Sequence, residues 1–225
     1  MNIFLLVMVI TIICIAAMVG IFVFIWKVVR KKENKRANAM RRFAGQSGYQ
    51  FFAENQNIVN LQRLKKFAVF RLGNMWRAKN IMRVRRNSGD WTIFDYHYRT
   101  GHSGRYSSAH YYDLSVFLVR HNKNIPNFLM YKENFFSKLS SALGFNDINF
   151  DTHPTFSQRY VLKSNDPNIR GAFSHQLLSY FERYDFNFAI ESVGNEIIFY
   201  RMNRLAPHQI NQQIPVFEGI IDLLG

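Results

Sequence analysis

The first 26 residues leave this chain little choice of environment. From Ile3 to Trp26, twenty-four residues carry no formal charge, and Lys27, Arg30, Lys31, Lys32, Lys35, Arg36, Arg41 and Arg42 follow at once. At about 1.5 Å per residue the uncharged run makes a helix of roughly 36 Å, against a hydrocarbon core of about 30 Å. Residues 1–26 therefore read as a transmembrane anchor that spans with some tilt. A cleaved secretory signal has a basic start, an apolar core of about 7 to 15 residues and a small-x-small exit, whereas only Met1 and Asn2 precede this longer run. A lipoprotein signal needs small residues ahead of its cysteine. Thr11, Ile12 and Ile13 precede Cys14, which reads as lipid-facing or packed filler.

Between Lys27 and Arg42 the eight basic residues face a single acid, Glu33. Such a cluster beside a first membrane helix stays in the cytoplasm, which puts the short N-terminus outside and the rest of the chain inside. Each basic residue near an anionic leaflet contributes about 1 kcal/mol, so residues 27–48 read as a basic juxtamembrane helix and linker lying against lipid headgroups and ending at Gly45 or Gly48. Ala16 and Gly20 make a small-xxx-small pair that would let two anchors approach, a route to a homodimer.

The remaining residues, 49–225, suffice for one domain with a sizeable core. The chain holds 22 Phe and 11 Tyr, so that core is expected to be built on phenylalanine. Charge is uneven. Ten Lys or Arg lie between residues 63 and 99 against Asp90 and Asp95, while residues 151–225 carry six against eight acids. An electropositive surface facing anionic lipid accounts for this bias; nucleic acid would also satisfy it, with Phe67, Phe70 and Trp76 as stacking platforms. Cys14 is the sole cysteine, which excludes a disulfide, a thiolate nucleophile and cysteine metal ligands from the domain.

Periodicity predicts an α+β fold with antiparallel strands. Tyr49–Phe52 is strand-like, and Ile58, Leu61 and Leu64 share a helical face over residues 58–66. Asn80–Arg86 offers a basic strand in which Ile81 and Val84 do not share a face. Trp91–Arg99 alternates and Tyr111–Arg120 is rich in β-branched and aromatic residues, with a Gly/Ser-rich connection over 100–109, which predicts a long hairpin. A strand is expected at Asn127–Tyr131 and a short helix at Phe135–Leu143. Asp166 and Pro167 open a helix carrying Ile169, Phe173, Leu177, Leu178 and Phe181 on one face. Phe186–Glu191 and Glu196–Arg201 flank a turn with Gly194 and Asn195. A last helix aligns Ile210, Ile214, Phe217, Ile221 and Leu224, with Pro207 near its start and Pro215 as an expected kink.

No motif supplies chemistry. His97, His102 and His110 with Asp95 and Asp113 could be drawn as a metal cluster, but zinc needs three or four ligands at about 2.0 to 2.3 Å on rigid elements, and His102 falls in the Gly/Ser tip. Gly101-His102-Ser103-Gly104 and Gly45-Gln46-Ser47-Gly48 are each one residue short of a nucleophile elbow. Glycine-rich phosphate loops are absent, and nothing in the sequence places Asp147 and Asp151 in a pocket. No catalytic residue, metal or cofactor is therefore assigned. Asp95 shares its strand face with Trp91 and Ile93, and an acid there needs a partner; Arg99 or a basic residue of the 77–86 stretch is expected to serve.

The anchor with its collar, Phe94-Asp95-Tyr96-His97-Tyr98 ahead of Gly101–Gly104, and the block Asp147-Ile148-Asn149-Phe150, Pro154, Phe156-Ser157, Tyr160, Leu162 and Asp166 together resemble a family of small bacterial single-pass membrane proteins without an assigned function. The resemblance implies an inner-membrane protein with a cytoplasmic domain, and residues 74–90 fit it least. It brings no catalytic residues. The expectation is a membrane-anchored binding or scaffolding module on the anionic inner leaflet, with Asp95, His97 and His102 marking a functional hairpin and a protein partner in the membrane or cytoplasm. The alternative is a membrane-tethered, hydrolase-like enzyme using Asp95, His97 or His153.

Overall fold

The computed structural model describes residues 3–101, 108–132 and 146–224 and divides into two compact units, Met1–Arg42 and Phe43–Gly225. The first unit is most of a single helix, α1, running from Ile3 to Gln46 over 44 residues. Anchor and collar are thus one uninterrupted rod, ending at the glycines where the sequence predicts. Its apolar side chains from Val7 to Val29 are exposed, as lipid-facing residues must be, and no part of its most apolar window is buried within the protein. The Thr11 hydroxyl donates to the Val7 carbonyl at 2.8 Å, so this polar group meets its need inside the helix.

The second unit is α+β. Its strands are β1 (Gln50–Phe52), β2 (Asn74–Arg86), β3 (Gly89–Thr100), β4 (His110–Arg120), β5 (Phe128–Lys132), β6 (Asn146–Asp147), β7 (Tyr160–Ser164), β8 (Ala189–Val193) and β9 (Glu196–Arg201). They form one nine-stranded antiparallel sheet in the order β1-β2-β3-β4-β9-β8-β5-β7-β6. The chain leaves β4, passes over two positions to β5, and the β8–β9 hairpin later fills the gap. Both edges are strands of two or three residues.

Alternation sends the side chains to two faces. Phe117, Phe128, Phe188 and Phe199 point to one face, where α3 (Pro154–Arg159), α5 (His175–Arg183) and α6 (Pro207–Leu223) close over them. Phe217 of α6 stacks on Phe199 at 4.2 Å and meets Phe117 and Phe188 edge-on at 4.9 Å. The expectation of a phenylalanine core holds on this side. On the other face Phe94, Tyr96, Tyr98, Leu114, Val116, Ile198 and Tyr200 are covered by residues 53–73, a strap with little regular structure. It contains one turn of helix, α2 (Leu61–Leu64), and a 3-10 turn at Ala68–Arg71.

Three expectations need correction. The helix predicted from Asp166 is two pieces, α4 (Ile169–Ala172) and α5. Phe173 leaves helical geometry to bridge Leu224, and the Ser174 hydroxyl then caps α5 by accepting from the Leu177 N–H at 3.3 Å. The 58–66 helix shrinks to the four residues of α2. The basic strand is longer than predicted and carries bulges between Asn74 and Arg77 and between Lys79 and Met82. Asn80 and Met75 occupy the left-handed region there, with φ of 51° and 55°. The helix predicted at Phe135–Leu143 lies outside the described residues, as does His102.

Candidate functional site

The strap is fixed to the sheet by two carboxylates of one hairpin. The N–H groups of Ala68 and Val69, at the start of the 3-10 turn, have no partner within that turn. Glu191 of β8 supplies it, with Oε2 at 2.6 Å from Ala68 N and Oε1 at 3.3 Å from Val69 N, while the Tyr200 hydroxyl donates to Oε1 at 2.6 Å. Burial pushes the Glu191 carboxyl above its ordinary range, opposed by the hydrogen bonds from Tyr200, Ala68 and Val69 and by the charge of Arg71. At the strap's far end Gly73 has φ of 63°, and a Cβ there would collide with the Arg99 carbonyl oxygen.

Glu196 of β9 is 1% exposed and meets three cations: Arg63 and Lys66 from the strap and Arg120 from β4. Lys66 lies at 2.9 Å and Arg120 at 3.1 Å. Burial raises its pKa, but the hydrogen bonds from Arg63 and Lys66, the charge of Lys66 and the bond from Arg120 outweigh that and hold it at about 2. Strand register extends the arrangement. Arg85 faces Asp90, Asp90 faces Arg120, and Arg120 faces Glu196, so charges of alternating sign cross four strands. Above them lies a cleft of about 250 Å³ lined by Asn57, Asn60, Arg63, Arg83, Thr92 and Arg120 among others. A larger hollow of about 430 Å³ shares Asn57, Val59 and Asn60 with it.

These contacts change the meaning of the uneven charge in the sequence. Arg63 and Lys66 share Glu196 as a counter-ion, and Arg86 makes a two-pronged pair with Glu218 at 2.9 and 3.1 Å, so acids of the C-terminal half answer part of the basic half. Phe67 and Phe70, imagined as stacking platforms, are buried, and Trp76 donates to the Leu72 carbonyl with Lys65 over its ring at 4.2 Å.

Of the residues marked on the hairpin, Asp95 and His97 are described and stand two apart on β3. Asp95 is buried and accepts from the Asn80 side-chain amide at 2.7 Å; the partner comes from the expected stretch, but this bond is from a neutral residue in a bulge. His97 pairs with Asp113 at 2.8 Å and stacks on Tyr111, and Arg204 reaches the other Asp113 oxygen at 3.7 Å. His153 is buried elsewhere, its ring 4.7 Å from that of His175. Asp95, His97 and His153 each have different partners. Among the described residues no group of three His, Cys, Asp or Glu is placed to hold a metal.

On α1, Lys27, Arg30, Lys31, Lys35, Arg41 and Arg42 fall within an arc of roughly 140° at about 100° per residue, a basic stripe along one side of the rod. Arg30 lies over the Trp26 ring at 4.8 Å, at the junction of apolar and basic segments.

Glu191 and Glu196 escaped the sequence reading because they stand at the ends of their predicted strands. The available signal was their parity: each shares a face with apolar neighbours, where a charge needs a partner. The chain matches no protein-family model and no curated protein. Among solved structures it is similar to the mycobacterial trehalose monomycolate transport factor A, TtfA, at a TM-score of 0.59 over 84% of this chain and 96% of that one, with 12% identity, a likeness of fold.

Proposed function

We propose that the protein is a single-pass inner-membrane protein of bacteria whose C-terminal unit is a cytoplasmic binding module held at the anionic leaflet. The continuous helix α1, apolar through Trp26 and basic beyond it, is the observation that carries this reading. The helical rise sharpens it. Lys27, Arg30, Lys31 and Lys32 lie within about 9 Å of Trp26 along the axis, comparable to a Debye length of about 8 to 10 Å, whereas Arg41 and Arg42 lie roughly 22 to 24 Å away. With the helix along the membrane normal, the first four contact headgroups, and the later basic residues of the run lie beyond that reach. That the structural neighbour is a transport factor supports a binding role over catalysis.

Two measurements test the proposal. Protease added to intact spheroplasts should leave the C-terminal unit whole; its digestion would reverse the orientation. Residues 27–225 should sediment with phosphatidylglycerol vesicles and not with phosphatidylcholine vesicles, and replacing Lys27, Arg30, Lys31 and Lys32 by Gln should remove most of that difference. Equal binding to both vesicles would eliminate the headgroup contact.

A further inference from the structure

We infer that the cleft between the strap and strands β2 to β4 is a binding site for a phosphate group. Three cations, Arg63, Lys66 and Arg120, converge on the one buried carboxylate of Glu196, two more than its charge requires. Their other donors remain available at the cleft, because the side chains of Arg63 and Arg120 are 52% and 50% exposed. Glu196 holds these long side chains in place, so a ligand meets guanidinium groups that have already lost much of their conformational freedom.

Arg83 completes the wall. It stands one ladder step from the Arg85–Asp90 pair, opposite Thr92 in register, and lines the same cleft. Asp90 is engaged by Arg85 at 3.0 Å, and among the described residues Arg83 has no ion-pair or hydrogen-bond partner. The charges lining the cleft are Arg63, Arg83 and Arg120 against Asp90 and Glu196, an excess of one positive charge, while Lys66 and Arg85 pair with those two acids from outside the lining. The Thr92 hydroxyl and the amides of Asn57 and Asn60 add neutral polar groups. Planar forks from several directions suit a tetrahedral oxyanion, and the carboxylates of Asp90 and Glu196, each engaged by its own cations, orient those forks. The inference concerns the second unit alone and holds on either side of the membrane, so it stands apart from the collar.

The experiment is calorimetric titration of the full chain, in non-ionic detergent, with inorganic phosphate at constant ionic strength. Wild type should bind saturably, and Arg83→Gln should weaken binding about tenfold, the loss of one charged hydrogen-bonding group. Arg183→Gln, which removes an exposed charge on α5, should bind like wild type. Arg83→Lys keeps the charge without the fork and should weaken binding severalfold, which covers a failure of Arg83→Gln to fold. The source is separated by repeating the titration in phosphatidylcholine nanodiscs with and without phosphatidic acid. Occlusion of the site only when phosphatidic acid is present assigns it to a lipid headgroup, and undiminished binding assigns it to a soluble phosphate-bearing ligand. No saturable uptake of either probe, or equal affinity in wild type and both Arg83 variants, overturns the inference.

Discussion

The two faces of the nine-stranded sheet are closed by different means. On one, helices α3, α5 and α6 lay phenylalanines against phenylalanines, and Phe217 alone touches the rings of Phe117, Phe186, Phe188 and Phe199. On the other, a mostly irregular strap covers a face rich in tyrosine and is tied down by Glu191 and Glu196. Helices satisfy their own backbone, so the first face needs only apolar contact. Irregular backbone brings unpaired N–H groups, so the second must import acceptors from the sheet. The face held by charges opens into a polar cleft.

Four perturbations would break or sharpen this contrast. The largest effect is expected from Phe217→Ala, which should cost about 3 to 5 kcal/mol in denaturant unfolding of the detergent-solubilised chain; a loss below about 1 kcal/mol would mean that the ring face is not the main core. Next, Glu191→Ala orphans two buried N–H groups and the Tyr200 hydroxyl and should cost roughly 2 to 3 kcal/mol. Hydrogen exchange should then quicken at Ala68 and Val69 while the amides of α6 keep their protection, and uniform quickening would deny the strap any separate identity.

The third is a matter of pH. Glu196 titrates at about 2 in the fold against an ordinary value of 4.5. A depressed carboxylate contributes stability above its unfolded pKa and loses it as pH falls, so the loss should run from about 4.5 toward 2 and amount to roughly 2 kcal/mol after allowance for the half-exposed arginines. Glu196→Gln should flatten that acid limb relative to wild type. Glu191 works in the reverse sense. Its raised pKa favours the fold in the protonated form, a contribution complete below the ordinary glutamate value and lost as pH rises through the folded one. The smallest effect belongs to Arg63→Ala, below about 1 kcal/mol for a pair whose basic partner is half-exposed; a cost above about 2 kcal/mol would make the strap's attachment as strong as the ring face.

Much of the framework was legible because period and turn chemistry are local. The β3–β4 pair, the Gly194-Asn195 turn and the stripe of α6 all follow from residues close in sequence. The elements misjudged were decided at long range. Phe173 breaks a convincing helical pattern for a bridge to Leu224, and the bulges of β2 depend on Asn80, whose N–H donates to the Ala53 carbonyl at 2.8 Å and whose amide reaches Asp95. β7, with its buried-intermediate alternation at Tyr160–Ser164, carried a usable signal that went unread. The cleft was harder to see: its cations come from the strap, β2 and β4, its carboxylate from β9, and no window of sequence holds them together. Charge counted along the chain suggested an open basic surface, whereas the fold pairs Arg63, Lys66, Arg85 and Arg86 of that stretch with acids.

The hairpin bearing Glu191 and Glu196 has a further consequence for how this protein tolerates change. The two acids share a side of the sheet only because Ala189–Val193 and Glu196–Arg201 meet in one register, with Val193 opposite Glu196. Side chains alternate every residue, so inserting a single amino acid in β9 just after Glu196 would either turn that glutamate toward the aromatic rings of α6 or push every later residue of the strand onto the wrong side. Lengthening the exposed turn at Gly194 disturbs neither. Gene variation in this protein should therefore accept added residues at that bend and reject them one step further on.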